Sequence, residues 1–309
     1  MGNVGTVHRL ILDHGLEEAR QRAVDKVDRQ CVETAFAVLS DEDRRIGIMH
    51  AGFAMTALPH KAVETNDWER QGGNVKLRIE SGRDSEGAYI GLPFGSIARM
   101  ILLYLQTEAV RNRSRDVELG RSMNQWLGSM GIDNGGKTYR LVREQAQRIS
   151  LCKLTFYRAM EDATFVSNGS FVRDAILPRR DDGDQLSLWR EAVRLDEGFY
   201  ESLIEHPLPV REAAIREIGS RSMSIDVYIW LAYRLHRLAK PTPITWAGLH
   251  QQFGSGFSLV RQFKAKFREP LQIALAAYPE ARVDVTESGV TLHPSPAPIP
   301  EKLIGRRTA

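Results

Sequence analysis

The chain states one local pattern twice. Tyr139-Arg140-Leu141-Val142-Arg143 and Phe257-Ser258-Leu259-Val260-Arg261 each run aromatic, polar, Leu, Val, Arg. Five letters alone carry little, but each run opens the third helical stretch of a like succession of elements. In the first succession a helix places Ile97, Met100, Ile101, Tyr104 and Leu105 on one side, and Val117-Glu118-Leu119 follows as a short segment. Met123, Trp126, Leu127 and Met130, spaced three and four apart, make a second helix that Gly131 closes. A third helix covers about 137–150, and strands at 151–159 and 170–177 flank a turn at Val166-Ser167-Asn168-Gly169. In the second succession Ile225, Tyr228, Ile229, Leu231, Ala232 and Leu235 form a helix that Pro241-Thr242-Pro243 breaks. A short strand at 244–246 and a helix at 247–253 come next. A helix at 257–267 ends before Pro270, an apolar segment reaches Tyr278, and strands at 283–285 and 290–292 flank Glu287-Ser288-Gly289.

Helix, helix, helix, hairpin is the order of a winged helix, so the expected fold is mainly α with small β-hairpins (α+β), built as tandem winged-helix domains. A length of 309 residues exceeds what one core usually holds and agrees with two domains. The expected divisions are an N-terminal segment at 1–90, the first module at 91–178, the second at 186–293 and a flexible C-terminal tail at 294–309. Within the first segment, residues 15–40 read as one amphipathic helix closed by Ser40-Asp41-Glu42-Asp43. Alternating stretches at 46–57 and 75–79 follow, with a hairpin at Gly72-Gly73-Asn74. Pro178-Arg179-Arg180-Asp181-Asp182-Gly183-Asp184 reads as a linker. No stretch approaches the roughly 18 apolar residues of a membrane span, and no secretory signal stands at the start, so the expected location is cytoplasmic. Cys31 and Cys152 lie far apart among apolar neighbours, as two buried thiols would.

The net charge of +3 is unevenly spread. Residues 1–90 carry 12 Lys or Arg against 15 Asp or Glu, 91–178 carry 12 against 8, 179–220 carry 6 against 10, and 221–309 carry 12 against 6. Between Asp226 and Glu269 stand Arg234, Arg237, Lys240, Arg261, Lys264, Lys266 and Arg268 with no carboxylate. A one-sign run of this length favours a polyanionic partner. On a helical wheel Val260, Phe263 and Phe267 share one sector, with Arg261, Lys264 and Arg268 beside it. In the earlier helix Leu141, Val142, Gln145 and Ile149 gather opposite Arg140, Arg143 and Gln147. Arg suits guanine and Gln suits adenine in a major groove. Candidate double-stranded-DNA-binding residues are therefore Lys137, Arg140, Arg143, Gln147, Ser258, Arg261, Lys264 and Arg268. Arg111 and Arg113, with Arg115, are candidate phosphate contacts in the loop after the first helix. For any one helix a solvated amphipathic face is the competing explanation, and it weakens when two such helices hold equivalent places. Two modules on one chain would cover successive grooves about 10 bp apart.

Gly131-Ile132-Asp133-Asn134-Gly135-Gly136-Lys137-Thr138 spells the pattern of a phosphate-binding loop. Such a loop follows a buried strand, whereas residues 122–130 have helical spacing, so a turn joining two helices fits better than an ATP site. The eight histidines show no metal-binding spacing and no nucleophile elbow is present. Tyr104, Tyr139, Tyr157 and Tyr228 stand on apolar faces, which suits packing better than DNA nicking. The expectation is a non-enzymatic protein with no metal and no cofactor.

Residues 131–143, Ile225-Asp226-Val227-Tyr228-Ile229-Trp230-Leu231-Ala232-Tyr233-Arg234-Leu235, Thr245-Trp246 and Phe263-Lys264-Ala265-Lys266-Phe267, in that order, resemble plasmid RepA-type replication initiators. The resemblance spans about 90–293. It implies tandem winged-helix domains that bind repeated origin sequences (iterons), open an adjacent AT-rich segment and help bring in the host replicative helicase, with a host initiator as a further partner. It also implies a homodimer away from the origin, with residues 1–90 and the first module as candidate surfaces, and no membrane partner. A winged-helix transcriptional regulator would need the same groove-reading helices and is the alternative.

Overall fold

A computed structural model describes residues 5–120, 122–133, 135–175 and 192–300. The linker read at 178–184 lies outside the described residues. The chain opens with α1 (Gly5–Arg22) and α2 (Lys26–Leu39), then β1 (Ile46–His50), α3 (Gly52–Met55) and the hairpin β2 (Asp67–Gly72) and β3 (Val75–Glu80). Next come α4 (Gly95–Asn112), β4 (Asp116–Glu118), α5 (Met123–Met130), α6 (Gly136–Leu151), β5 (Lys153–Ala159), β6 (Thr164–Ser170) and β7 (Val172–Asp174). Then β8 (Ala192–Leu195), α7 (Glu197–Glu205), β9 (Pro207–Arg211), α8 (Glu212–Ile218) and α9 (Ser222–Arg234) follow. The chain closes with β10 (Thr242–Thr245), α10 (Trp246–Phe253), α11 (Val260–Ala276), β11 (Val283–Val285) and β12 (Gly289–Leu292). This is an α+β protein. No helix of the described residues is long and apolar enough to cross a membrane.

The described residues form two compact units that are interleaved in the sequence. One comprises residues up to Gly47, Phe53–Ala57 and those from Leu208 on; the other comprises Ile48–Gly52 and Leu58–Pro207. The N-terminal 90 residues are thus shared between the two units rather than standing apart.

In the second of these units the three helices α4, α5 and α6 precede the β5–β6 hairpin in the order read from sequence. Ser122 caps α5 by accepting the Gln125 amide at 3.2 Å, and Gly131 ends it at φ 68°, a left-handed backbone that glycine adopts without strain. The hairpin turn differs from expectation. Strands β5 and β6 pair from Lys153↔Ser170 to Ala159↔Thr164, so the turn is at 160–163 and Val166–Gly169 lie within β6. Asn168 sits opposite Thr155, whose hydroxyl donates to its side-chain oxygen at 2.8 Å, which turns a turn-forming residue into a cross-strand partner. The hairpin joins β2 and β3 in a sheet ordered β2-β3-β5-β6, while β8 inserts between β4 and β7 in another.

His50 is buried in this unit. Its Nδ1 accepts the Gly52 amide at 3.0 Å, which leaves the proton on Nε2 to meet the Ser202 hydroxyl at 2.9 Å. Burial, reinforced by His206 and Arg158, pushes its pKa down from 6.5 to about 4. Because the folded state takes up the proton less readily, stability is full above pH 6.5 and falls as the pH drops through the folded value. A loss of up to roughly 3 kcal/mol is expected between pH 6.5 and 4, read as a falling urea midpoint, and a His50→Gln variant should flatten that slope.

The other unit brings α1 and α2 together with the elements from Leu208 on. The single helix expected over 15–40 is two helices, because Asp25 accepts the Val27 and Asp28 amides at 2.8 Å and starts α2 afresh. Arg20 of α1 pairs with Glu33 of α2 at 2.7 Å. α2 buries Cys31, Val32, Ala35 and Val38 against α8 and α11. The His8 ring bonds the Ala276 carbonyl at 2.8 Å, and Gln30 donates to the Glu217 carbonyl at 3.0 Å. Both Cys31 and Cys152 are buried, and burial pushes each thiol up to about 12, so both stay protonated.

Pro270 does not end the third helix of this unit. α11 runs on to Ala276, because Leu271, Ile273 and Ala274 bury against α9 and α2 and outweigh the backbone bond that proline removes. Within the tail expected at 294–309, residues 295–298 are tied down: Ser295 N–H bonds the Leu235 carbonyl at 3.2 Å, the Tyr278 hydroxyl donates to the Pro296 carbonyl at 2.6 Å and Arg211 Nε to the Pro298 carbonyl at 2.9 Å, while 301–309 lie outside the described residues. Strands β10, β12 and β11 form one sheet, with Thr245 opposite Gly289. A β-carbon at position 289 would stand 1.9 Å from the Ile244 carbonyl oxygen. Gly289→Ala is therefore expected to force β12 from β10 and cost about 1–3 kcal/mol in urea unfolding.

Candidate nucleic-acid interface

The third helix of each module is held by its buried face and presents cations on the other. In α6 the buried residues are Val142, Gln145 and Ile149, with Leu141 only half-buried. Gln145 Oε1 accepts the Phe94 amide at 2.8 Å at the start of α4. Arg148 donates to the Leu92 carbonyl at 2.9 Å, pairs with Glu144 at 2.7 Å and lies over the Phe94 ring. These bonds set the rotation of α6. Lys137 and Arg140 are then exposed, and Arg143 and Gln147 are half-buried on the same outward side.

α11 is anchored by an aromatic stack. Phe263 and Phe267 are fully buried 4.9 Å apart, and Phe267 meets Phe253 at 5.4 Å and Trp246 at 6.3 Å. Val260, expected in that sector, is 39% exposed because the aromatic core begins one turn later. The helix begins at Val260 rather than at Phe257, so Ser258 precedes it; Ser258, Arg261 and Lys266 are exposed, and Lys264 and Arg268 are half-buried. Lys264 has a structural engagement that sequence reading missed. Its ammonium donates to the Glu287 carbonyl at 2.8 Å and lies 5.5 Å from the Trp246 ring centre, tying the β11–β12 turn to the helix.

The arginines expected in a loop after the first helix are placed differently. Arg111 lies on the last turn of α4 and pairs with Glu108. Arg113 is the left-handed cap residue at φ 51°, exposed, and Arg115 reaches Glu197 at 3.5 Å. The helix has simply absorbed the first of the three.

The phosphate-loop pattern joins helix α5 to helix α6. Gly131 caps the first and Gly135 precedes the second, so the segment arrives from a helix rather than a strand. Tyr228 is fully buried, and burial raises its phenol above the ordinary range. Burial also raises Tyr104, whose hydroxyl donates to the Glu118 carbonyl at 2.6 Å. Tyr139 bonds Asn124, and Tyr157 lies under the Lys76 ammonium.

The profile of the plasmid-encoded RepA protein family matches residues 92–247, just over half of the chain. The chain belongs to that family. The matched span of this RepA-family protein runs from the start of α4 through α6 and α9 to the first residues of α10. No curated protein sequence is significantly similar. Among solved structures, domains 2 and 3 of RctB are similar at 12% identity and a TM-score of 0.45, covering 77% of this chain and 93% of that one. A selenomethionine form of the same RctB domains gives the same identity and score over 71% and 82%.

Proposed function

We propose that this RepA-family protein initiates plasmid replication by binding repeated origin sequences through two winged-helix modules, with α6 and α11 as the reading helices. The carrying observation is that each third helix is rotationally locked by buried contacts while Lys137 and Arg140 on one, and Arg261 and Lys266 on the other, face solvent. A fixed helix with outward cations meets the phosphates and base edges of a duplex without reordering, which favours binding in a defined register. Opening of an adjacent AT-rich segment and recruitment of the host helicase and host initiator belong to the same proposal. So do a homodimer away from the origin and a cytoplasmic location. The protein acts by binding alone, without catalysis, metal or cofactor.

The test is fluorescence anisotropy with a duplex from the encoding plasmid's origin and a scrambled duplex of equal length, at two salt concentrations. Origin DNA is expected to bind at least about 10³-fold more tightly. Equal binding to both, with a steep salt slope, would overturn the proposal.

A further inference from the structure

Resting on that reading, we infer that Gln262 and Ala265 form the base-reading strip of α11 and take an A·T pair in the major groove. At about 100° per residue, the buried side of α11 is set by Phe263, Phe267, Leu271 and Ala274. The direction opposite to it passes between Gln262 and Ala265, both exposed. Arg261 and Lys266 lie on the two flanks of that strip, and Lys264 is drawn towards the β11–β12 turn by its bond to Glu287. The helix therefore offers a neutral centre between cationic margins.

That arrangement fits a duplex groove, where the phosphates stand at the two rims and the bases at the floor. The Gln262 amide sets an N–H donor beside a carbonyl acceptor, the pair that meets adenine N7 and N6, and the Ala265 methyl is small enough to sit against the thymine 5-methyl group. Glu269, exposed one turn further along the same side, carries the charge a duplex repels. It limits the groove-facing part of the helix to its first two turns. The charge of the surrounding stretch, cationic from Arg234 to Arg268 with no carboxylate, matches the same partner.

The experiment uses the full chain and its origin duplex, scanned with 7-deazaadenine, which lacks the N7 acceptor, and with deoxyuridine, which lacks the thymine methyl. One adenine position is expected at which 7-deazaadenine weakens the wild type about ten-fold or more but leaves Gln262→Ala unaffected. At the paired or adjacent thymine, deoxyuridine should weaken the wild type and have no added effect in Ala265→Gly. Circular dichroism melts of Gln262→Ala should match wild type, since the side chain is exposed. A scan with no such position, or a Gln262→Ala loss that is equal on origin and scrambled DNA, overturns the inference while leaving specific origin binding intact. Loss of discrimination by the wild type itself would overturn the origin-binding reading and this inference with it.

Discussion

Phe267→Ala is expected to cost about 3–5 kcal/mol of stability. The ring is fully buried and touches Phe263, Phe253 and Trp246, three aromatics drawn from α10 and α11. Truncation removes the contacts that join the short helix to the third one and leaves a cavity that neighbouring rings cannot fill without leaving their rotamers. Urea unfolding followed by hydrogen exchange at the α9 and α11 amides measures it. Phe267→Leu should retain much of the lost stability; an equal loss in both variants would mean that ring packing is not the source.

The second large effect is on DNA. Arg143→Ala and Arg261→Ala are each expected to cost about 1–3 kcal/mol of binding to origin DNA, and because they stand on separate modules the double variant should lose about 2–6 kcal/mol. Titration of origin and scrambled duplexes at two salt concentrations reads the outcome. A selective loss on origin DNA marks base contact, whereas a uniform loss with a salt slope shallower by about one marks phosphate contact. An unchanged affinity would remove α6 and α11 from the interface. Folding should be unaffected by the change at Arg261, which is exposed.

Local signals were legible where the deciding physics is local. The spacing of Met123, Trp126, Leu127 and Met130 and the stop at Gly131 give α5 to the residue, and the order of helices and hairpins in both modules follows from apolar periodicity. Where tertiary partners decide, the sequence was silent or misleading. Asn168-Gly169 looks like a turn until Thr155 stands opposite as its partner. Pro270 looks like a helix stop until α9 and α2 are seen to cover the residues after it. The insertion of β8 between β4 and β7 joins segments with no common local pattern.

The candidate interface divides in the same way. The outward placement of Lys137, Arg140 and Arg261 follows from the wheel, because each helix has one greasy side to orient it. The engagement of Lys264 with Glu287 needed the position of the closing hairpin, which no helical wheel contains. Gln262 and Ala265 carry no charge, so the cationic pattern that marks the rest of the helix in the sequence does not mark them.

The interleaved unit also has a consequence during synthesis. α2 ends at Leu39, yet one of the helices that cover its apolar face is complete only at Ala276. At about 5–20 residues per second, a ribosome takes roughly 10–50 s to bridge that interval. Until then α2 can pack on α1 and, once Ile218 has been made, on α8, but the part of its apolar face that meets α11 stays open. A message cut short before α11 yields a chain in which α2 keeps α1 and α8 but lacks its third partner, and quality-control proteases should clear it before it reaches an origin.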